Sequence, residues 1–336
     1  GLNVKTSNLC CEITLPTGLD HLGKERTAVC CLSSINLEKY NEWKDEDLFI
    51  EDLMRFLDNV LQDFIDRAPD SMSRAKYAAM RERSVGLGAM GFHSFLQDRM
   101  IPFESVMAQV WNKKIFKNIQ NGADNASKKL AVEKGPCPDA ADYGIMERFS
   151  NKTAIAPTAS ISIICGGASP GIEPIAANSF TQKTLSGSFN VRSRALTRVL
   201  EEKGKNTNEI WSNITVNGGS VQHLDFLDDH EKDVFKTAFE LDQRWVVEHS
   251  ADRAPMVDQA QSVNIFLPAD VHKRDLHQIH FQAWKKGLKS LYYCRSLSIQ
   301  RAESSEASGE NAKEEMRKAM AKAQETSDYE ECLSCQ

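Results

Sequence analysis

Apolar residues recur along this chain of 336 residues with two periods, and the switches between them mark its elements. Between residues 45 and 68, Phe49, Leu53, Phe56, Leu57, Val60, Leu61 and Phe64 recur every three or four positions. That is the spacing of one helix face, and Pro69 stops it. A second helix is expected around 72–83, leading into Gly86, Gly88 and Gly91. A third is expected over 103–134, ended by the breaker Gly135-Pro136-Cys137-Pro138. SNLCCEITLP and TAVCCLSSINL, both within residues 1–37, are β-prone, each with a Cys-Cys pair in an apolar stretch of strand length. The run TAIAPTASISIICGG passes from β-type residues into small and hydroxyl ones. Beyond Arg192, helical patterns alternate with short strand candidates at 262–267 and 289–296. Strands separated by helices predict an α/β fold with a parallel sheet or barrel. Residues 302–336 are charged and poor in large apolar side chains, which predicts a mobile tail.

Composition narrows the function class. Forty-one basic residues against 47 acidic ones give a net charge of −6, which supplies no electrostatic footprint for nucleic acid. No apolar run reaches the roughly 20 residues of a membrane span, and the first residues lack a signal-peptide layout. A soluble, cytoplasmic protein is expected. Nine cysteines, an odd number in a long chain, point to thiols rather than to a disulfide framework. The single CxxC, Cys332 to Cys335, has no second ligand pair nearby, so no metal is expected.

GLGAMG at 86–91 matches the dinucleotide string GxGxxG. Its context is wrong: a helical pattern precedes it, and Val110-Trp111-Asn112 stands where the ribose carboxylate belongs. Close packing explains the glycines better than a nicotinamide site, and an NAD(P)-dependent dehydrogenase stays a remote alternative.

Asn8-Leu9-Cys10-Cys11-Glu12 is denser in reactive groups than a strand end requires. Extended, it would turn Asn8, Cys10 and Glu12 to one face: an amide, a sulfur and a carboxylate. Cys11 would face away. The same residues also suit a plain strand with buried thiols, and alone they leave both readings open. Pro157, Thr158, Ala159, Ser160, Ile161 and Ser162 put three hydroxyls where a β-type run becomes a loop, a setting fit for a phosphate or for a simple Ser/Thr turn. Tyr292 and Tyr293 are adjacent redox-capable phenols in an apolar, strand-like segment, where core packing is the plainer use.

Taken together, these motifs resemble the large, catalytic subunit of class I ribonucleotide reductase. SNLCCEITLPT resembles the family's finger loop, which implies Cys10 as the thiyl-radical cysteine, Glu12 as the carboxylate beside it and Asn8 as the substrate-hydroxyl ligand. Cys30 in AVCCLSSINL matches one of the two substrate-reducing thiols. RSVGLGAMGFHSFL is similar to a further family segment, PTASIS to the substrate-phosphate loop, LYYCRSLSIQRAE to the tyrosine-pair region, and the terminal CLSC to the tail cysteines that shuttle electrons. The resemblance implies the carboxy-terminal half of a ten-stranded α/β barrel over residues 1–301 and a flexible redox tail over 302–336. It implies reduction of ribonucleoside diphosphates to deoxyribonucleotides, with no cofactor bound by this chain. The radical would come through Tyr292 and Tyr293 from a metal-containing small subunit, and electrons from thioredoxin or glutaredoxin through Cys332 and Cys335. The family's preceding residues, with its effector sites, the first half of the barrel and the second redox thiol, have no counterpart here. Cys31 is not accepted as that thiol, because an extended segment turns it away from Cys30. A complementing amino-terminal half of the large subunit is therefore an expected partner, whether the chain is a piece or one part of a divided subunit. An inert assembly module is the alternative.

Overall fold

In the computed structural model, which describes residues 3–184 and 187–296, short strands alternate with helices. The strands are β1 (Gly18–Leu19), β2 (Glu25–Arg26), β3 (Leu32–Asn36), β4 (Gly86–Met90), β5 (Ser179–Thr184), β6 (Gly187–Arg192), β7 (Ile265–Leu267) and β8 (Cys294–Ser296). β1 with β2 and β5 with β6 form antiparallel hairpins. The other four build the parallel layer.

β3 pairs with β4 from Leu32 opposite Gly86 to Asn36 opposite Met90. Leu87 then bridges in parallel to Thr153, and Ile155 to Gln261. β7, reached a few residues later, pairs in parallel with β8. Five parallel segments thus stand side by side in chain order, which is the expected half-barrel. Parallel neighbours require long crossovers, and helices lie in each: Phe49–Arg67 and Ser73–Glu82, then Phe92–Asp98 and Val106–Lys134, then four between Arg194 and Arg253, then Lys273–Lys285. Among the described residues, no helix is long and apolar enough to cross a membrane.

Local chemistry explains most boundaries. Ser105 caps Val106–Lys134 by accepting from the Ala108 N–H at 3.1 Å, and Gly135 at φ 88° ends it. The helix expected over 45–68 is observed at Phe49–Arg67, but its inner face is rotated. Ile50, Met54, Leu57, Leu61 and Ile65 are buried, whereas Phe56 and Val60 are exposed. The strand candidates 262–267 and 289–296 shrink to β7 and β8: ahead of them, Ser262 and Tyr292 make single backbone bonds to Ile155 and Val263, and the Tyr293 N–H turns to the Asn264 side chain.

The GLGAMG string is itself a central strand, β4, buried at every residue. A Cβ on Gly88 would lie 2.3 Å from the Ala154 carbonyl oxygen, and one on Gly86 2.3 Å from Leu32. Its glycines therefore admit the two flanking strands. A dinucleotide fingerprint needs them in the turn after a strand, so the dehydrogenase alternative fails on geometry.

Candidate active site

The segment around Cys10 departs from the expected strand. The Cys11 N–H donates to the Asn8 carbonyl at 3.2 Å, closing a tight turn, and Cys11 takes φ 67°. The left-handed conformation costs an L-residue free energy and marks a shape imposed from outside the local sequence. Around the turn, the Asn8 N–H donates to the Ile13 carbonyl at 3.3 Å, and the Ile13 N–H donates to Asn8 Oδ1 at 3.0 Å. Asn8 thereby clamps the loop with its carbonyl and its side chain. Cys10 and Glu12 at the tip are buried, and Cys11 is only half-buried.

The finger is held by the segment that leads into β7. The Ala260 N–H donates to the Glu12 carbonyl at 2.9 Å, and Gln259 Oε1 accepts from the Thr14 N–H at 3.2 Å. Ser262 Oγ donates to the Cys10 carbonyl at 2.5 Å and lies 3.2 Å from Glu12 Oε2. Ser290 Oγ donates to the Cys11 carbonyl at 2.9 Å. Two buried polar atoms at the tip, Asn8 Nδ2 and Glu12 Oε1, have no hydrogen-bond partner among the described residues. Asn8 is near enough to draw on the Glu12 carboxyl, so this donor and acceptor share one buried corner without a well-formed bond, and a hydroxyl-bearing ligand would complete both. Burial pushes the Glu12 carboxyl above the usual range, against the milder lowering effects of Asn8 and Ser262.

Tyr292 lies on the segment entering β8. Its N–H donates to the Val263 carbonyl at 2.8 Å, and the Tyr293 N–H donates to Asn264 Oδ1 at 3.1 Å. The two rings are 4.0 Å apart at 32°. Burial is the largest cause of a strong rise in the Tyr292 phenol's pKa, followed by hydrogen bonds with Tyr293 and Cys10. Tyr292 therefore stands between Tyr293, which is 48% exposed, and the Cys10 thiol, which is 2% exposed. Neither tyrosine is in a regular strand; the expected element begins at Cys294.

The loop 157–162 follows Ile155, the neighbour of Gln261, and so leaves the parallel layer beside the segment that carries Ser262. Its hydroxyls are not the expected trio. Thr158, at φ 57°, is buried and accepts from the Gly171 N–H at 2.6 Å, and Ser162 is buried and donates to the Ala159 carbonyl at 3.3 Å. Ser160 alone stays exposed. The N–H groups of Ser162 and Ile163 already donate to the Thr158 and Ser160 carbonyls, at 3.0 and 3.2 Å, so what the turn offers an anion is the Ser160 hydroxyl with the N–H groups of Ala159, Ser160 and Ile161 ahead of the short helix Ile161–Ile164. Cys31 is buried against the Leu57 carbonyl, its thiol pushed up to about 11 chiefly by burial, while Cys30 is exposed before β3. The two neighbours do face apart. Cys332 and Cys335 lie outside the described residues.

Sequence reasoning missed Gln259, Ser262, Asn264 and Ser290. For the first three the available signal was the run QAQSVN, whose polar residues sit directly before an apolar strand and are buried.

Comparisons with known proteins agree with this geometry. The family described as ribonucleotide reductase, barrel domain, matches residues 2–143 and 139–294. A ribonucleoside-diphosphate reductase large subunit of Invertebrate iridescent virus 6 is 52% identical over 294 residues, covering 86% of this chain and 30% of that protein. The large subunit of Invertebrate iridescent virus 3 is 45% identical, covering 89% and 47%. The solved class Id ribonucleotide reductase alpha subunit of Actinobacillus ureae superposes with a TM-score of 0.81 at 41% identity, over 88% of this chain and 54% of that one. The chain spans between about a third and a half of the length of these relatives. On its motifs, its half-barrel and these matches, the chain belongs to the ribonucleotide reductase large-subunit family and carries part of its barrel domain.

Proposed function

We propose that this chain is the catalytic part of a ribonucleoside-diphosphate reductase, active together with the rest of the large subunit and a radical-generating subunit. The observation that carries the reading is the line from exposed Tyr293 through Tyr292 to buried Cys10, ending beside the open acceptor of Glu12. A core tyrosine pair would have no reason to meet a buried thiol on a strained turn.

The radical-generating subunit, through its metal, supplies the oxidising equivalent at Tyr293. Tyr292 loses an electron and its phenolic proton and regains both from Cys10, leaving a sulfur radical. Cys10 takes the hydrogen atom from C3′ of the ribose. Glu12 accepts the 3′-hydroxyl proton, and the burial that raises its pKa makes it a better base near neutral pH. Asn8 Nδ2 donates to a substrate hydroxyl. The 2′-hydroxyl leaves as water with a proton from one of two thiols, Cys30 and a second thiol outside this chain. The pair gives up two electrons and closes a disulfide while the second thiol's hydrogen goes to C2′; Glu12 returns its proton to the 3′ oxygen, and Cys10 returns the hydrogen atom to C3′. The turn 157–162 receives the diphosphate through backbone N–H groups and Ser160. Residues 1–301 act as the barrel part and 302–336 as a tail, in which Cys332 and Cys335 re-reduce the disulfide by exchange with thioredoxin or glutaredoxin.

Cys10→Ser in the complete reductase tests the assignment. The hydroxyl is near in size to the thiol, but its O–H bond is too strong for hydrogen-atom relay. Turnover is expected to fall to background with the melting temperature unchanged, and substantial turnover in this variant sinks the reading.

A further inference from the structure

Ser262 stands between the two groups that the proposed reaction needs most. Its backbone is pinned, since the Ser262 N–H donates to the Ile155 carbonyl at 2.9 Å, and the residue is 4% exposed. Its hydroxyl reaches the Cys10 carbonyl at 2.5 Å and Glu12 Oε2 at 3.2 Å. A serine hydroxyl has one proton to donate and lone pairs to accept with. Two oxygen acceptors therefore compete for it. While it donates to the Cys10 carbonyl, its contact with Glu12 is a hydrogen bond only if Glu12 is protonated and donates. Once Glu12 is ionised, the carboxylate is the stronger acceptor and draws the proton away from the Cys10 carbonyl.

We propose that Ser262 is a positioning residue whose single proton is shared between the Cys10 carbonyl and the Glu12 carboxyl, tying the charge state of the base to the setting of the radical turn. The inference rests on the function proposed above. The groups facing Glu12 are neutral Asn8 on its own turn and Ser262 on the strand approach, with titratable Cys10 and Tyr292 next to them. No charged side chain among the described residues contributes to the shift at Glu12. The hydroxyl acts on this carboxyl after burial, Asn8 and the backbone, and its hydrogen bond favours the ionised form.

The test is the pH profile of kcat in the complete reductase for wild type, Ser262→Ala, Ser262→Thr and Ser262→Val. The profile of a base rises with pH through its pKa. Without the hydroxyl, the rising limb is expected to move up by roughly one pH unit, the tenfold in proton affinity that one hydrogen bond to a carboxylate carries. Thr keeps the hydroxyl and should hold the wild-type limb, whereas Val, of the same shape, should shift it. That pair serves even if Ser262→Ala does not fold. Equal fold-losses at every pH, with the limb unmoved in both Ala and Val, overturn the proposal and leave Ser262 a turn support. Glu12→Gln should abolish the limb. A Glu12→Gln enzyme with full turnover overturns the functional reading itself.

Discussion

Asp58 and Glu12 are both almost wholly buried carboxylates, at 1% and 0% exposure, and their surroundings are opposite. Asp58, on the helix Phe49–Arg67, accepts from Arg83 at 2.7 and 3.0 Å, from Arg148 at 2.9 and 3.3 Å, and from Lys134 at 2.9 Å. Both its oxygens are used. Burial alone would raise its pKa, but hydrogen bonds from Arg148 and Lys134 and the charge of Arg83 outweigh that and lower it. Among the described residues Glu12 meets no cation and keeps one oxygen without a hydrogen-bond partner, and it is pushed up by burial. A buried charge surrounded by donors fixes the fold. A buried carboxyl left incomplete costs stability, and such a cost is tolerated where a ligand or a proton transfer completes the group. The difference separates a part of the barrel that holds from the part to which the proposed reaction is assigned.

The sharpest way to break this contrast is Tyr292→Phe. One hydroxyl is lost and the ring is kept, so turnover should drop to background while the unfolding midpoint stays within error. A variant that loses stability but keeps its specific activity would return the tyrosine pair to the core. Glu12→Gln should lower turnover by about 10²- to 10⁴-fold, the range for a positioned general base, without destabilising the protein. Asp58→Ala should behave inversely. Three cations lose their common partner, so about 3–5 kcal/mol of unfolding free energy should go, while turnover per folded molecule persists. If Asp58→Ala costs no more than a surface change, the cluster is not what fixes the helix Phe49–Arg67 to the strand entry at Arg83.

The finest discrimination is in pH dependence, where the two groups have opposite signs. Glu12 binds its proton more tightly folded than unfolded. Its contribution is fully present below the unfolded value near 4.5 and is lost as pH rises through the folded value. Asp58 binds its proton more weakly when folded. Its contribution is present above the unfolded value near 3.8 and is lost as pH falls through the folded one. Urea midpoints measured from about pH 3 to 8 should therefore show Glu12→Gln gaining on wild type toward high pH. Asp58→Ala should lose least at the acid end. Parallel curves for the two variants would erase the distinction.

The chemical inventory was legible from the sequence alone. Asn8, Cys10, Glu12, Tyr292 and Tyr293 stand in short motifs, and six such motifs in order carry the resemblance to the family. The alternation of helix and strand was legible too, because apolar spacing reports which face each segment buries. Helix faces were less so: Phe56 and Val60 fit the period but lie exposed, since the packing partner Val106–Lys134 and not the period chose the buried stripe.

Tertiary structure alone decided how the chemistry is assembled. The finger reads as a strand by propensity, yet it is a turn with Cys11 at φ 67°, imposed by hydrogen bonds from Ala260, Ser262 and Ser290. Ser262 and Cys10 are 252 positions apart, and Tyr292 reaches Cys10 only because the strand approach at Val263 holds its backbone. In the turn 157–162, bonds to the Gly171 N–H and the Ala159 carbonyl hold Thr158 and Ser162 inward and leave Ser160 outside. Propensity and period act over a few neighbouring residues, whereas burial, hydrogen-bond completion and the acidity of a carboxyl depend on whatever the fold brings alongside, from any distance in the chain.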